Sequence, residues 1–217
     1  PFDPFPLRVM AARGYAVFLP NFRGSAGYGE EFRRSAVGRP ARRAAADVLS
    51  GLDALADSGR IDPGRAGVVG WASGAFKVAN LLVRSDRFRA AALGAGHSEL
   101  HAAVGEGDAV VQWRSLYGGL PWEVPERYRA ESPLLHASRI ETPSLLIHGG
   151  ADPLVPVDQS RQLHTYLGLL GVPARLVIVP NEGHGIAHPE RRHEIGDTVL
   201  SWFDQWLRAE RSPEVRS

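Results

Sequence analysis

An acid, a base and a sharply framed small residue stand at three separated points of the chain: Asp152, His184 and Ala72. A hydroxyl at position 72 would complete an acyl-transfer site. The imidazole takes the nucleophile's proton, and the carboxylate orients the ring and stabilises the imidazolium. Position 72 is framed for that role. The run Val68-Val69-Gly70-Trp71-Ala72-Ser73-Gly74-Ala75-Phe76 has the form G-x-S-x-G of a nucleophile elbow, with alanine where the serine belongs. Such a turn strains its middle residue and is expected to take only small residues two before and two after, here Gly70 and Gly74. Ser73 is the rival nucleophile, but its flanks would then be Trp71 and Ala75. An indole does not fit where the turn needs a glycine. The backbone N–H of Ser73 is instead an oxyanion donor candidate. A methyl group cannot attack a carbonyl, so the chain is expected to be inactive as written. In a serine protease, loss of the nucleophile costs on the order of a million-fold in turnover.

The acid and the base follow in the order this fold class uses. Residues 145–147 read as a buried strand that opens into Gly149-Gly150-Ala151-Asp152-Pro153. Residues 174–179 read as another, ending in Pro180-Asn181-Glu182-Gly183-His184-Gly185. The glycines beside His184 let the backbone turn and present the ring. Both residues thus fall past the C-terminal end of a strand, where open parallel sheets place their sites. Each has a plainer reading. Asp152 could cap a helix starting near Val157, and His184 could be an ordinary loop histidine. Elbow, acid and base in this order favour the triad over three coincidences. His148, at a strand end, reads as a structural histidine. His184, His188 and His193 lack a carboxylate at a zinc-protease spacing, so no metal and no cofactor is expected.

These residues need a scaffold, and the apolar pattern supplies one. Strands are expected at residues 16–19, 67–70, 90–93, 145–147 and 175–179. They are apolar throughout, as strands covered on both faces are. Between them Ala45, Val48, Leu49, Leu52, Leu55 and Ala56 make one helical stripe, with Gly59 as its stop and a turn at Asp62-Pro63. A last helix carries Ile195, Val199, Trp202, Phe203, Trp206 and Leu207 as core residues. Alternating strands and helices predict an α/β fold with a mostly parallel sheet and helices on both faces. Residues 97–138 break the rhythm with Trp113, Tyr117, Trp122 and Tyr128, an excursion of the kind that builds substrate pockets.

The matching segments go beyond the elbow. They include Gly14-Tyr15-Ala16-Val17-Phe18-Leu19-Pro20-Asn21-Phe22-Arg23-Gly24-Ser25-Ala26-Gly27-Tyr28-Gly29, Gly118-Gly119-Leu120-Pro121-Trp122-Glu123, Ser132-Pro133-Leu134, His148-Gly149-Gly150-Ala151-Asp152 and Glu182-Gly183-His184-Gly185. With them the chain resembles the catalytic domain of the prolyl oligopeptidase family of serine peptidases, in its acylaminoacyl-peptidase and dipeptidyl-peptidase-like branch. The resemblance implies an α/β-hydrolase fold, with Ala72 at the nucleophile position, Asp152 as the orienting acid and His184 as the base. It implies that Trp113 and Tyr117, in the W-x-x-x-Y-G spacing, line the substrate pocket; the plainer reading is that they pack the excursion onto the sheet. Two departures stand out. The family has serine at position 72, usually followed by an aromatic and two glycines, where this chain has Ser73, Gly74 and Ala75. Its His-Gly-Gly-Pro oxyanion loop, first strands and N-terminal β-propeller would lie upstream of Pro1.

Residues 1–217 are therefore expected to form a single, partial catalytic domain that acts on peptide substrates. Its partner would be the upstream segment or propeller of the same protein, and a homo-oligomer is compatible with this reading. Two other functions fit the same residues: a pseudoenzyme that binds peptides or a protein without turnover, and a small-ester hydrolase. The balance of 25 Lys and Arg against 24 Asp and Glu leaves a formal charge of +1. No electrostatic grip on nucleic acid or anionic membrane is expected. The segment Arg39 to Arg43 reads as a solvated helix start. Cysteine is absent, which excludes disulfides and a thiol nucleophile. No apolar run approaches the ~20 residues of a membrane span. The start Pro1-Phe2-Asp3-Pro4 lacks a signal peptide's basic and apolar regions, so the expected location is cytoplasmic.

Overall fold

In a computed structural model, residues 5–106 and 110–208 are described. The run of residues 1–4, read above for leader character, lies outside them, as do residues 107–109 of the excursion. The order begins with short helices α1 (Leu7–Ala12) and α2 (Glu30–Arg34) and the long α3 (Pro40–Asp57). Then come β1 (Gly67–Trp71), α4 (Ser73–Leu82) and β2 (Ala90–Gly94). The excursion follows as α5 (Leu100–Gly105), α6 (Val110–Tyr117) and α7 (Pro125–Glu131). The chain closes with β3 (Ser144–Gly149), α8 (Asp158–Leu169), β4 (Ala174–Val179) and α9 (Pro189–Phe203).

The four strands pair in sequence order, all parallel. Leu93 lies beside Gly70 on one side and Leu146 on the other, and Ile147 lies beside Val177. The central strands β2 and β3 are buried along their whole length. That explains their unbroken apolar sequence, because both faces are covered. Period-two alternation divides their side chains. Ala91, Leu93 and Leu146 meet Leu52 of α3, Val78 and Leu82 of α4, and Leu163 and Leu167 of α8. Ala90, Ala92, Leu145 and Ile147 meet Met10 of α1 and Val199 and Phe203 of α9. The excursion has its own apolar cluster, in which Trp113, Tyr117 and Tyr128 surround Phe76 and Leu100. The long helix α3 starts at Pro40, where a missing N–H costs nothing. The next two amides, of Ala41 and Arg42, are capped from a distance by the Glu131 carboxylate at 3.1 and 2.8 Å. Among the described residues, no helix is long and apolar enough to cross a membrane.

One expected strand does not form. Residues 16–19 are neither helix nor strand, and Val17, Phe18 and Leu19 are exposed. A strand exists only as one side of a ladder, and β1 pairs only with β2 among the described residues. Phe18 packs on α3 instead: a Cβ added at Gly51 would meet its ring at 2.5 Å. The sequence there has strand composition without a neighbour to make it one.

Candidate active site

Position 72 sits on a sharp strand-to-helix turn. Ala72 has φ 52 and ψ −119, a region that non-glycine residues occupy only when the surroundings force it. Its N–H donates to the Gly94 carbonyl at 2.8 Å, and its own carbonyl accepts from Phe76 at 3.1 Å, closing the first turn of α4. Gly70 is obligatory: a Cβ there would lie 2.4 Å from the Gly74 backbone and 2.7 Å from the Ala75 nitrogen. Gly74 is different. A Cβ at 74 would meet nothing within 4 Å, so the space that calls for a small residue is tight at 70 and open at 74. The N–H of Ser73 begins α4 and has no acceptor among the described residues. An orphan amide at a helix N-terminus is a donor poised for an anion.

The acid and the base come together from two neighbouring loops. Asp152 Oδ2 lies 2.8 Å from His184 Nδ1. The Asp152 side chain is fully buried, while His184 keeps 23 % of its side chain exposed. Asp152 Oδ1 accepts from the amides of Leu154 at 2.8 Å and Val155 at 2.9 Å. The plainer reading of Asp152 as a backbone-capping residue therefore describes one of its oxygens, and the other meets the imidazole. Burial opposes the charge on Asp152. Hydrogen bonds from His148, His184 and the two amides outweigh it and hold the carboxyl well below the usual carboxylate range.

His148 is structural and something more. Its ring is fully buried, with Nδ1 2.7 Å from Ser160 Oγ and Nε2 2.8 Å from the Val155 carbonyl. A carbonyl can only accept, so Nε2 carries the proton and the Ser160 hydroxyl donates to Nδ1. That same Nε2–H lies 3.2 Å from Asp152 Oδ2, giving the carboxylate a second imidazole neighbour.

The loop bearing His184 is locked by contacts that sequence reading missed. Glu182 is buried, and its carboxylate accepts from the amides of Ala187 at 2.7 Å and His188 at 3.2 Å and meets His188 Nδ1. The Glu182 carbonyl accepts from Ala151 in the acid's loop at 2.9 Å. The two loops press so closely that a Cβ on Gly149 would lie 2.1 Å from the Gly183 carbonyl oxygen. Trp71, beside position 72, donates from its indole to the His184 carbonyl at 2.9 Å and so ties the elbow to the base's loop. Nothing in the local sequence separates Glu182 from a solvated acid or Trp71 from a core aromatic.

Another residue not singled out from sequence is His97, just past β2. It is near enough to feel the charges of His184 and Asp152. Burial pushes its imidazole down to about 4; His184 and His148 add to the push and Asp152 opposes it. Its ring meets Trp113 edge-on, with centroids 5.1 Å apart. Trp113 stacks on Tyr117 at 6.1 Å. Tyr117 has no exposed surface, and its hydroxyl donates to Glu131 at 3.0 Å. Tyr117 therefore stands behind Trp113. The segments after β1, β2, β3 and β4 supply positions 72, 97, 152 and 184 in turn, all at the C-terminal edge of one parallel sheet.

The fold and this edge define an α/β hydrolase, and comparison with known proteins narrows the class. The Prolyl oligopeptidase family profile matches residues 2–210. The chain is 34 % identical over 207 residues to the "Uncharacterized peptidase YuxL" of Bacillus subtilis, covering 92 % of this chain and 31 % of that protein. It is 32 % identical over 209 residues to "Dipeptidyl-peptidase 5" of Porphyromonas gingivalis, covering 93 % and 30 %. Among solved structures, the acylaminoacyl peptidase of Pyrococcus horikoshii superposes with a TM-score of 0.82 at 29 % identity, covering 90 % of this chain and 33 % of that one. The chain belongs to the prolyl oligopeptidase family of serine peptidases. It spans about a third of the length of the curated relatives it matches.

Proposed function

We propose that this chain is the catalytic domain of a serine-type peptidase that hydrolyses oligopeptides by acyl transfer, and that it is inactive as written. The contact between Asp152 and His184 carries the reading, at the sheet edge that also holds the strained Ala72. With serine at 72, His184 Nε2 would take the hydroxyl proton while Nδ1–H donates to Asp152. The tetrahedral oxyanion would meet the Ser73 N–H, and the protonated ring would then give its proton to the leaving amine. Asp152 suits its part, because its hydrogen bonds keep it ionised wherever peptides are hydrolysed near neutrality. Trp113, backed by Tyr117, would give the substrate pocket an apolar wall. The second oxyanion donor would come from upstream of Pro1, as would a propeller domain. Relatives named as dipeptidyl and acylaminoacyl peptidases favour peptides over small esters as substrates.

The preserved acid–base pair favours a hydrolase over a pseudoenzyme, because binding alone does not require a buried carboxylate aligned on an imidazole. The test is Ala72→Ser in the full-length protein. The revertant should label with an active-site serine probe and turn over aminoacyl or dipeptidyl substrates. The parent chain should do neither, with a gap in turnover on the order of a million-fold. A folded revertant without turnover on a broad peptide panel would support the pseudoenzyme, and labelling of the parent at Ser73 would overturn the elbow register.

A further inference from the structure

A second concave surface lies apart from the residues just described. It is a cavity of about 580 Å³ lined by five arginines: Arg39, Arg42, Arg84, Arg127 and Arg139. His136 adds an imidazole, and Glu126 is the only carboxylate lining it among the described residues. Elsewhere about half of the described arginines are matched. Arg23, Arg33, Arg65, Arg87, Arg161 and Arg191 each meet an Asp or Glu. None of the five cavity arginines forms an ion pair among the described residues.

Two of the five donate their hydrogen bonds to neutral acceptors. Arg84 donates to the Asn80 carbonyl at 2.8 Å, to the Asn80 side-chain oxygen at 2.7 Å and to the Ala130 carbonyl at 2.9 Å. Arg127 donates to the Tyr117 carbonyl at 2.6 Å. The nearby Glu131 carboxylate is already engaged by two α3 amides and the Tyr117 hydroxyl. Burial lowers the Arg84 pKa, and repulsion from Arg42 and Arg139 adds to this against the pull of Glu131. Like charges gathered around a hollow repel one another unless an anion joins them.

We propose that this cavity is a binding site for a small anion bearing two or more phosphate groups. Guanidinium forks match phosphate oxygens in pairs, and several converging forks suit a ligand with several such groups. The volume falls within the range of small-molecule sites. Among the described residues no Phe, Tyr or Trp lines the cavity to stack on a base, so recognition is directed at the phosphates.

Calorimetric titration of the full chain with inorganic pyrophosphate, at ionic strength held constant with sodium chloride, tests this. Saturable one-to-one binding is expected, about tenfold or more tighter than orthophosphate. The double variant Arg42→Ala/Arg139→Ala should weaken it by about tenfold per guanidinium removed. Neither side chain donates a hydrogen bond among the described residues; circular dichroism checks the fold, and Arg139→Gln alone reports the same effect at smaller size. Arg191→Ala, away from the cavity, should change nothing. Absent binding, binding no better than orthophosphate, or binding unchanged in the Arg139 variants would overturn the proposal. So would a polyglutamate peptide that binds where pyrophosphate does not, which would assign the cavity to an acidic protein segment. Binding by this chain that vanishes in a longer protein containing it would show the arginines already engaged, and would overturn it too.

Discussion

The two halves of the sheet edge are built to different degrees. The half formed by the loops after β3 and β4 is dense with contacts. Asp152 has two imidazole and two amide neighbours, Glu182 closes the loop around His184, and the two loops touch backbone to backbone. The half at β1 is sparse. Position 72 ends in a methyl group, and among the described residues the Ser73 amide has no acceptor and residues 16–19 do not pair with the sheet. The proposed acid–base pair is thus assembled by local loop packing within the chain. The proposed nucleophile and oxyanion side depends on one atom group at 72 and on whatever lies beside β1. Preorganisation costs conformational freedom, and here it is concentrated on the half that, in the proposed reaction, only orients a proton carrier.

If the dense half works through orientation, removing charge from Asp152 must cripple an otherwise complete site. In the Ala72→Ser background, Asp152→Asn should lower kcat by about 10⁴-fold with little change in KM, as expected when the base is left in the wrong tautomer. Active-site titration separates this from misfolding. A loss below tenfold would mean that the tight Asp152–His184 contact does not organise the chemistry.

The close approach of the two loops can be broken directly. Gly149→Ala places a methyl 2.1 Å from the Gly183 carbonyl, a backbone atom that cannot swing aside. The loops must separate or the strand end must shift. A stability loss of about 3 kcal/mol or more is expected, in the range of severe core strain. Urea denaturation reads it, and a loss below about 1 kcal/mol would show the loop junction to be pliant.

The sheet edge also sets an acid limit on stability. His97 has its pKa lowered to about 4 against an unfolded value near 6.5. Between those values the unfolded chain binds the extra proton, so stability rises with pH there. The contribution is complete above about 6.5 and is lost as pH falls to about 4, amounting to about 3 kcal/mol. The lowered Asp152 pKa acts further down: its stabilisation is full above the ordinary aspartate value of about 4 and fades below it. His97→Gln should therefore flatten the stability profile between pH 6.5 and 4 and leave the limb below 4 in place. An unchanged upper limb would place His97 in water rather than against Trp113.

What could be read from sequence follows the same division. Asp152 and His184 were legible because glycines and strand ends announce them locally, and the strands around them are unbroken apolar runs. The strand expected at residues 16–19 was misjudged because pairing is a property of two segments, and composition reports one. The W-x-x-x-Y spacing puts Trp113 and Tyr117 on one helix face, but depth depends on what covers that face; α7 and Glu131 bury Tyr117. Trp71, His97 and Glu182 act through contacts with distant residues and leave no local mark. The five cavity arginines come from separate segments of the chain, so no window of sequence shows them together.

The smallest expected effect tests the sparse half. The elbow pattern asks for a small residue at 74 as firmly as at 70, yet the structure leaves open space where a Cβ at 74 would stand. Gly74 lies in the first turn of α4 and its φ is not positive, so alanine fits without backbone strain. Replacing glycine by alanine in a helix is favourable by up to about 1 kcal/mol, and less near an end. Gly74→Ala should therefore raise stability by about 0.5 kcal/mol, whereas Gly70→Ala should unfold the turn or lower stability by several kcal/mol. Thermal melts of the two variants beside the parent decide it. Equal destabilisation by both would mean that α4 packs against the elbow more tightly than described, and that the β1 half is as constrained as the half that holds Asp152 and His184.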